Sequence, residues 1–282
     1  MVRASTQNLS KARTNKDCSS KVRLNRDRAS QDNAYPPWLE AQLPAGARSV
    51  IGRRCLLVES DKCNNNLEAT PGQLRVKYGE TLADAYVLQR EAEWLHRLRH
   101  LNVDIPQCVT FYRNGTQCVL ITNYLSGSSA SDWLLAHQNS PSYIEQLRPY
   151  IESTFDALDY FHQQGLVHGD IKPGNILFGA NGQATLIDFS NMRRVDQPWQ
   201  ERGFNQYSPS FRYPEPAEVA KFEHDYFALL ISVAALFKME RLSSFRSLEC
   251  FVEYIESQYK SWGLYDKHIN HIECYLNKIN NS

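Results

Sequence analysis

The apolar residues of this chain change period part-way along, and a chain that does so is not a uniform bundle, sandwich or solenoid. From 35 to about 122, short runs at 55–58, 74–78, 109–112 and 118–122 read as strands, the last two flanking the hairpin signal Asn114-Gly115. Among them, over 82–101, Leu82, Ala85, Leu88, Ala92, Leu95 and Leu98 recur at threes and fours, which predicts one amphipathic helix. Beyond Leu125 the helical period takes over. Residues 131–137 form a short helix, and Ile144, Leu147, Ile151, Leu158 and Phe161 stripe a longer one that Gly165 stops. Two short strands, 176–178 and 184–187, close around Asn181-Gly182; an irregular stretch runs to Pro216 and the remainder is helical. Strands segregated ahead of helices predict an α+β fold: a small antiparallel sheet with one packed helix, then a mainly helical region.

Hydrophobic residues make up 42% of the chain and aromatics 11%, enough to build a core, so disorder is local. It is expected in residues 1–34, which hold eight Lys/Arg, three Asp and no aromatic residue and read as a flexible basic tail. An export or transit signal has a similar composition. The formal net charge is zero, which gives no reason to expect nucleic acid or an anionic membrane as a partner. The cysteines, at 18, 55, 63, 108, 118, 250 and 274, are odd in number and contain no CxxC, which suits reduced thiols in a cytoplasmic setting. The longest nearly apolar run, 226–237, is far shorter than the ~20 residues a membrane-crossing helix needs.

The chemistry-bearing residues gather in two segments. Val167-His168-Gly169-Asp170-Ile171-Lys172-Pro173-Gly174-Asn175-Ile176-Leu177 is followed, thirteen positions after Asn175, by the aspartate of Leu186-Ile187-Asp188-Phe189-Ser190. Taken singly, each is a capped turn. Together they resemble the HRDxKxxN catalytic loop and the DFG motif of protein kinases. The resemblance implies a bilobed protein-kinase-like fold, with residues 35–125 as the N-lobe and 126–282 as a reduced C-lobe. It also implies roles: Asp170 is the catalytic base, Lys172 neutralises the γ-phosphate of ATP, and Asn175 with Asp188 ligates Mg²⁺, which prefers hard oxygen ligands.

The same resemblance assigns Lys77 of Leu74-Arg75-Val76-Lys77 to the α- and β-phosphates and pairs it with Glu91, fourteen residues on, in Arg90-Glu91-Ala92-Glu93. Glu93 lies about 200° around the helix from Glu91, so only one of them faces the site. Residues 119–127 resemble the hinge between lobes, with Thr122 as gatekeeper and main-chain groups of Asn123 to Leu125 facing adenine. Asp225, at the start of a late helix, resembles the aspartate that holds the catalytic loop, here at His168. Tyr213-Pro214-Glu215 stands where the family's activation segment ends.

Several positions depart from the pattern. No GxGxxG precedes Lys77; a degenerate nucleotide loop is expected at 44–50, where the main chain of Gly46, Ser49 and Val50 and the side chain of Arg48 meet phosphate, with Gly52-Arg53-Arg54 as the competing placement. Gly169 replaces the arginine of HRD, so activity independent of activation-segment phosphorylation is expected. Ser190 replaces the DFG glycine. HGD is common in small-molecule phosphotransferases, whereas Lys172-Pro173 is the choice of Ser/Thr protein kinases, which favours a protein acceptor. A metabolite or glycolipid kinase and a nucleotide-binding pseudokinase are the alternatives. His268, His271 and Cys274 recur at threes, but not in a zinc-site spacing.

Overall fold

A computed structural model describes residues 35–52, 54–60, 72–199, 208–211 and 218–261. The basic segment 1–34, the Asn-rich stretch 61–71, Arg53, Tyr213-Pro214-Glu215 and His268, His271 and Cys274 lie outside the described residues. Contacts divide the chain between Ala34 and Tyr35, and the sheet and the helices described below belong to one unit, Tyr35–Ser282.

After a single helical turn, α1 (Pro37–Glu40), come β1 (Ala47–Gly52), β2 (Cys55–Ser60), β3 (Gly72–Gly79), α2 (Leu82–Leu98), β4 (Cys108–Asn114) and β5 (Gln117–Asn123). The strands form an antiparallel sheet in the order β1-β2-β3-β5-β4. Its register sets Lys77 opposite Cys55 on β2 and Leu120 on β5. The alternation of β3 separates two faces. Leu74, Val76 and Tyr78 are buried on one face with Leu56, Val58, Val119, Ile121 and, from α1, Leu39. On the other, Cys118 and Leu120 join a core with Ala85, Leu88 and Leu95 of α2.

Helix α2 begins in a capping box, in which the Thr81 hydroxyl accepts from the Asp84 amide and the Asp84 carboxylate accepts from the Thr81 amide. It stops at Leu98, three residues earlier than the apolar pattern predicts, and the Leu101 amide donates to the Leu98 carbonyl in the turn that follows.

The second region holds β6 (Ser128–Ser129), α3 (Ala130–His137), α4 (Tyr143–Gln163), β7 (Leu166–Val167), β8 (Ile176–Phe178), β9 (Ala184–Leu186), β10 (Arg193–Arg194), α5 (Phe222–Leu236) and α6 (Leu248–Ser261). Phe161, Leu166, Phe189 and Leu229 are buried in the same core as Leu88 and Leu120, so packing continues from the sheet side into the helices. This is the bilobed α+β architecture expected. One segment differs: 44–50, read as a loop, is mostly the strand β1. Its residues are nearly all exposed, so they carry no alternating apolar signal. The turn between β1 and β2 lies instead at Gly52–Cys55, which pair across it. Among the described residues, no helix is long and apolar enough to cross a membrane.

Candidate active site

Strand β3 delivers Lys77 and helix α2 delivers Glu91. The Lys77 Nζ donates to Glu91 Oε1 at 2.6 Å and Oε2 at 2.7 Å, and lies 3.8 Å from Asp188 Oδ2. Glu91 is buried and Glu93 exposed, the latter accepting from Gln89, so the helix phase is the expected one. Burial works against the charge on Lys77, but the carboxylates of Asp188 and Glu91 outweigh it and hold the ammonium above its usual range. Burial would likewise raise Asp188, yet Lys77, the Ser190 hydroxyl at 3.0 Å and Lys172 keep its carboxyl down at about 2. Asp188 has φ +70°, a left-handed backbone that turns the chain between β9 and Phe189.

The catalytic-loop residues bind one another. Lys172 Nζ donates to Asp170 Oδ2 at 2.7 Å and to Ser208 Oγ at 2.8 Å. Asn175 Nδ2 donates to both the carbonyl and Oδ2 of Asp170, each at 2.9 Å. Its amide nitrogen is thus committed, leaving Oδ1 as the atom available to a cation. Asn175 Oδ1 and the ionised Asp188 carboxylate are hard oxygen donors, which fits a magnesium ion that takes its other ligands from phosphate and water. Among the described residues there is no cluster of three or more His, Cys, Asp or Glu able to hold a metal alone.

The loop is held from behind. Asp225, buried at the start of α5, accepts from the His168 amide at 2.7 Å, from the Gly169 amide at 2.8 Å and contacts His162 Nε2 at 3.0 Å. Burial would raise its pKa, and His162, His168 and the Gly169 amide together lower it. The His168 ring is fully buried, which pushes its pKa down. On the far side Arg90, next to Glu91, donates to the carbonyls of Ser190 and Met192, each at 3.0 Å. Arg193 is 2% exposed and donates to the carbonyls of Asn191, Pro198 and Trp199 at 2.6, 3.2 and 3.0 Å. Gly169 has φ +81°, and a Cβ there would stand 2.8 Å from the Asn191 carbonyl oxygen and 2.9 Å from the Trp199 ring. The space beside the loop is therefore closed by Trp199.

Of the expected nucleotide contacts, Arg48 pairs with Glu40 and Tyr35, and Gly46 precedes the end of β1 remote from the β1–β2 turn. Ser49 and Val50 sit mid-strand, Val50 54% exposed. Arg54, at the turn, pairs with Asp84, and its carbonyl accepts from the Tyr78 amide beside Lys77. In the hinge, the Asn123 amide donates to the Gln107 carbonyl and the Tyr124 amide to the Gln73 carbonyl. Among the described residues the Leu125 amide makes no such bond, so of the three it is the donor left for a ligand. Thr122 is buried. Sequence reasoning missed Ser208, Arg193 and Trp199, which sit in the irregular stretch where no period marks them, and Arg90, whose only signal is its place beside Glu91.

A family model described as protein kinase domain matches residues 75–261. The chain belongs to the protein kinase domain family. Among curated proteins it is 29% identical over 126 residues to "Probable cyclin-dependent kinase 10" of Dictyostelium discoideum, a match covering 44% of this chain and 34% of that protein. It is 30% identical over 125 residues to Aurora kinase C of Mus musculus (44% and 39%). To "Serine/threonine-protein kinase stk11" of Xenopus laevis it is 31% identical over 133 residues (46% and 30%). The chain thus spans 30–39% of the length of these relatives.

Proposed function

We propose that this chain is an ATP-dependent kinase that phosphorylates serine or threonine hydroxyls of protein substrates. The observation that carries the reading is the convergence of Lys77, Glu91 and Asp188 from three separate elements, the ammonium 2.6 Å from one carboxylate and 3.8 Å from the other. In this reading Lys77 holds the α- and β-phosphates, and Asn175 and Asp188 hold Mg²⁺, whose charge neutralises the phosphate oxygens. Asp170 receives the proton of the attacking hydroxyl as the new O–P bond forms and the bond to ADP breaks. Lys172 stands between Asp170 and Ser208, beside the γ-phosphate. The Leu125 amide and the Asn123 carbonyl meet the base, while the β1–β2 turn, beside Lys77, covers the phosphates in place of a glycine-rich loop; Gly46, Ser49 and Val50 bear on the nucleotide only through β1. The printed name of one relative, a serine/threonine-protein kinase, and the Lys172-Pro173 pair favour a Ser/Thr protein acceptor.

Transfer of label from γ-labelled ATP to a generic protein and to a small aminoglycoside tests the reading. The expected result is Mg²⁺-dependent labelling of protein that falls by about 10²- to 10⁴-fold in Asp170→Asn. Labelling of the aminoglycoside alone would point to a metabolite kinase, and ATP binding without turnover under any metal to a binding module.

A further inference from the structure

Outside the buried Lys77–Glu91 pair, a second and more exposed pair fastens the β1–β2 turn to helix α2. Arg54 Nη1 donates to Asp84 Oδ2 at 2.5 Å. Asp84 and Glu91 stand seven residues apart, so they share one helix face, roughly 10.5 Å apart along the axis. That face takes one cation from β3 and one from the turn. The same Asp84 oxygen accepts from the Thr81 hydroxyl at 2.7 Å and from the Thr81 and Glu80 amides at 3.1 and 3.2 Å, so the carboxylate is anchored at the helix start. Burial would raise its pKa, but those bonds and the Arg54 charge hold it below the ordinary range. The main chain of the turn is fixed as well. Arg54 has φ +59°, a left-handed backbone that a residue other than glycine keeps only when its surroundings impose it. Its carbonyl accepts from the Tyr78 amide at 3.1 Å, and Cys55, next along, pairs with Lys77.

We propose that Arg54 is a positioning residue, which acts through Asp84 to fasten the β1–β2 turn to helix α2 and so sets the turn over the nucleotide phosphates. The inference rests on the kinase reading of the site. The side chains of Arg54 and Asp84 are 36% and 23% exposed, and a pair that open contributes little to global stability, so its effect lies in what it places. What it places has little other support: β1 is the edge strand of the sheet and nearly all of its residues are exposed. The helix that presents Glu91 to Lys77 thereby also determines where the phosphate cover sits.

Calorimetric titration of the full chain with MgATP and with adenosine, which has no phosphates, tests the proposal. Arg54→Gly removes the side chain and relieves the left-handed backbone, and is expected to weaken MgATP about 2- to 10-fold while leaving adenosine unchanged. Arg54→Lys keeps a cation for Asp84 and should retain most of the MgATP affinity. Asp84→Asn keeps an acceptor for the helix cap but loses the charge; it should weaken MgATP, and adding Arg54→Gly to it should cost little more. If Arg54 bound phosphate itself, Asp84→Asn would leave MgATP binding unchanged or tighten it, and the double variant would show the full loss of Arg54→Gly; that result overturns the proposal. Equal weakening of MgATP and adenosine, or a loss in Arg54→Lys as large as in Arg54→Gly, overturns it too. The two Arg54 variants carry the test if Asp84→Asn does not fold. A wild-type chain that does not bind MgATP would overturn both this inference and the kinase reading, whereas MgATP binding untouched by Arg54→Gly would overturn this inference alone.

Discussion

The two walls of the site are built on different principles. On the sheet side, Lys77 and Glu91 join β3 to α2 through one buried ion pair between side chains. On the loop side, side chains hold main-chain atoms: Asp225 and Arg90, from distant elements, take two amides and two carbonyls, and Arg193, from the segment itself, takes three carbonyls. The sheet wall depends on one contact, and the loop wall is determined several times over. With glycine in place of the HRD arginine, that loop carries no guanidinium to meet a phosphorylated segment. Here Arg90 and Arg193 are engaged by carbonyls of residues 190–199.

The largest expected effect sharpens that contrast. Glu91→Ala leaves Lys77 buried beside Asp188 with its principal partner gone, and should cost about 3–5 kcal/mol of stability in a denaturant titration. A loss well under 1 kcal/mol would mean that the sheet wall does not rely on this pair. A smaller effect is expected on the loop side. Gly169→Arg places a side chain at φ +81° against Asn191 and Trp199, and should lower stability by roughly 1–3 kcal/mol without conferring any dependence on phosphorylation. Phosphatase-treated wild-type protein should keep its activity; abolition of that activity would break the picture of a segment held by its own main chain.

The smallest effect concerns pH. His168 is buried with a depressed pKa, so below its unfolded value of about 6.5 the unfolded chain takes up a proton that the folded chain refuses, and stability falls as pH drops. Asp188 and Asp225, held below the ordinary carboxylate range, contribute stability above about pH 3.9 and lose it only in stronger acid. The melting temperature should therefore begin to decline between pH 7 and 5, with a less steep decline in His168→Phe. An unchanged slope in that variant would put the titration elsewhere.

How much of this was legible in the sequence follows from what each wall is made of. Lys77, Glu91, Asp170, Lys172, Asn175 and Asp188 could be singled out because the motifs they resemble set particular side chains at fixed intervals, and the structure joins Lys77 with Glu91 and Asp188, and Asp170 with Lys172 and Asn175. The β1 strand was not, because an exposed edge strand containing Arg48, Ser49 and Gly52 has no alternating apolar pattern and Pro44-Ala45-Gly46 ahead of it reads as loop. Arg193, Trp199 and Ser208 were hidden for another reason. Ser208 meets Lys172 only through the tertiary fold, and Arg193 meets nearby carbonyls, including that of Trp199, where a main-chain acceptor leaves no mark on residue identity. The sheet and helix order was legible from periodicity, whereas two-residue strands such as β7 and β10 are too short to show any.

In the proposed function, Lys77, Asp170, Asn175 and Asp188 surround one triphosphate and its metal. Titrating ATP into wild type and Asp188→Asn, with and without Mg²⁺, tests it most directly. Mg²⁺ should tighten ATP binding in the wild type, and this gain should disappear in Asp188→Asn; an equal gain in both proteins would contradict a metal held by Asp188.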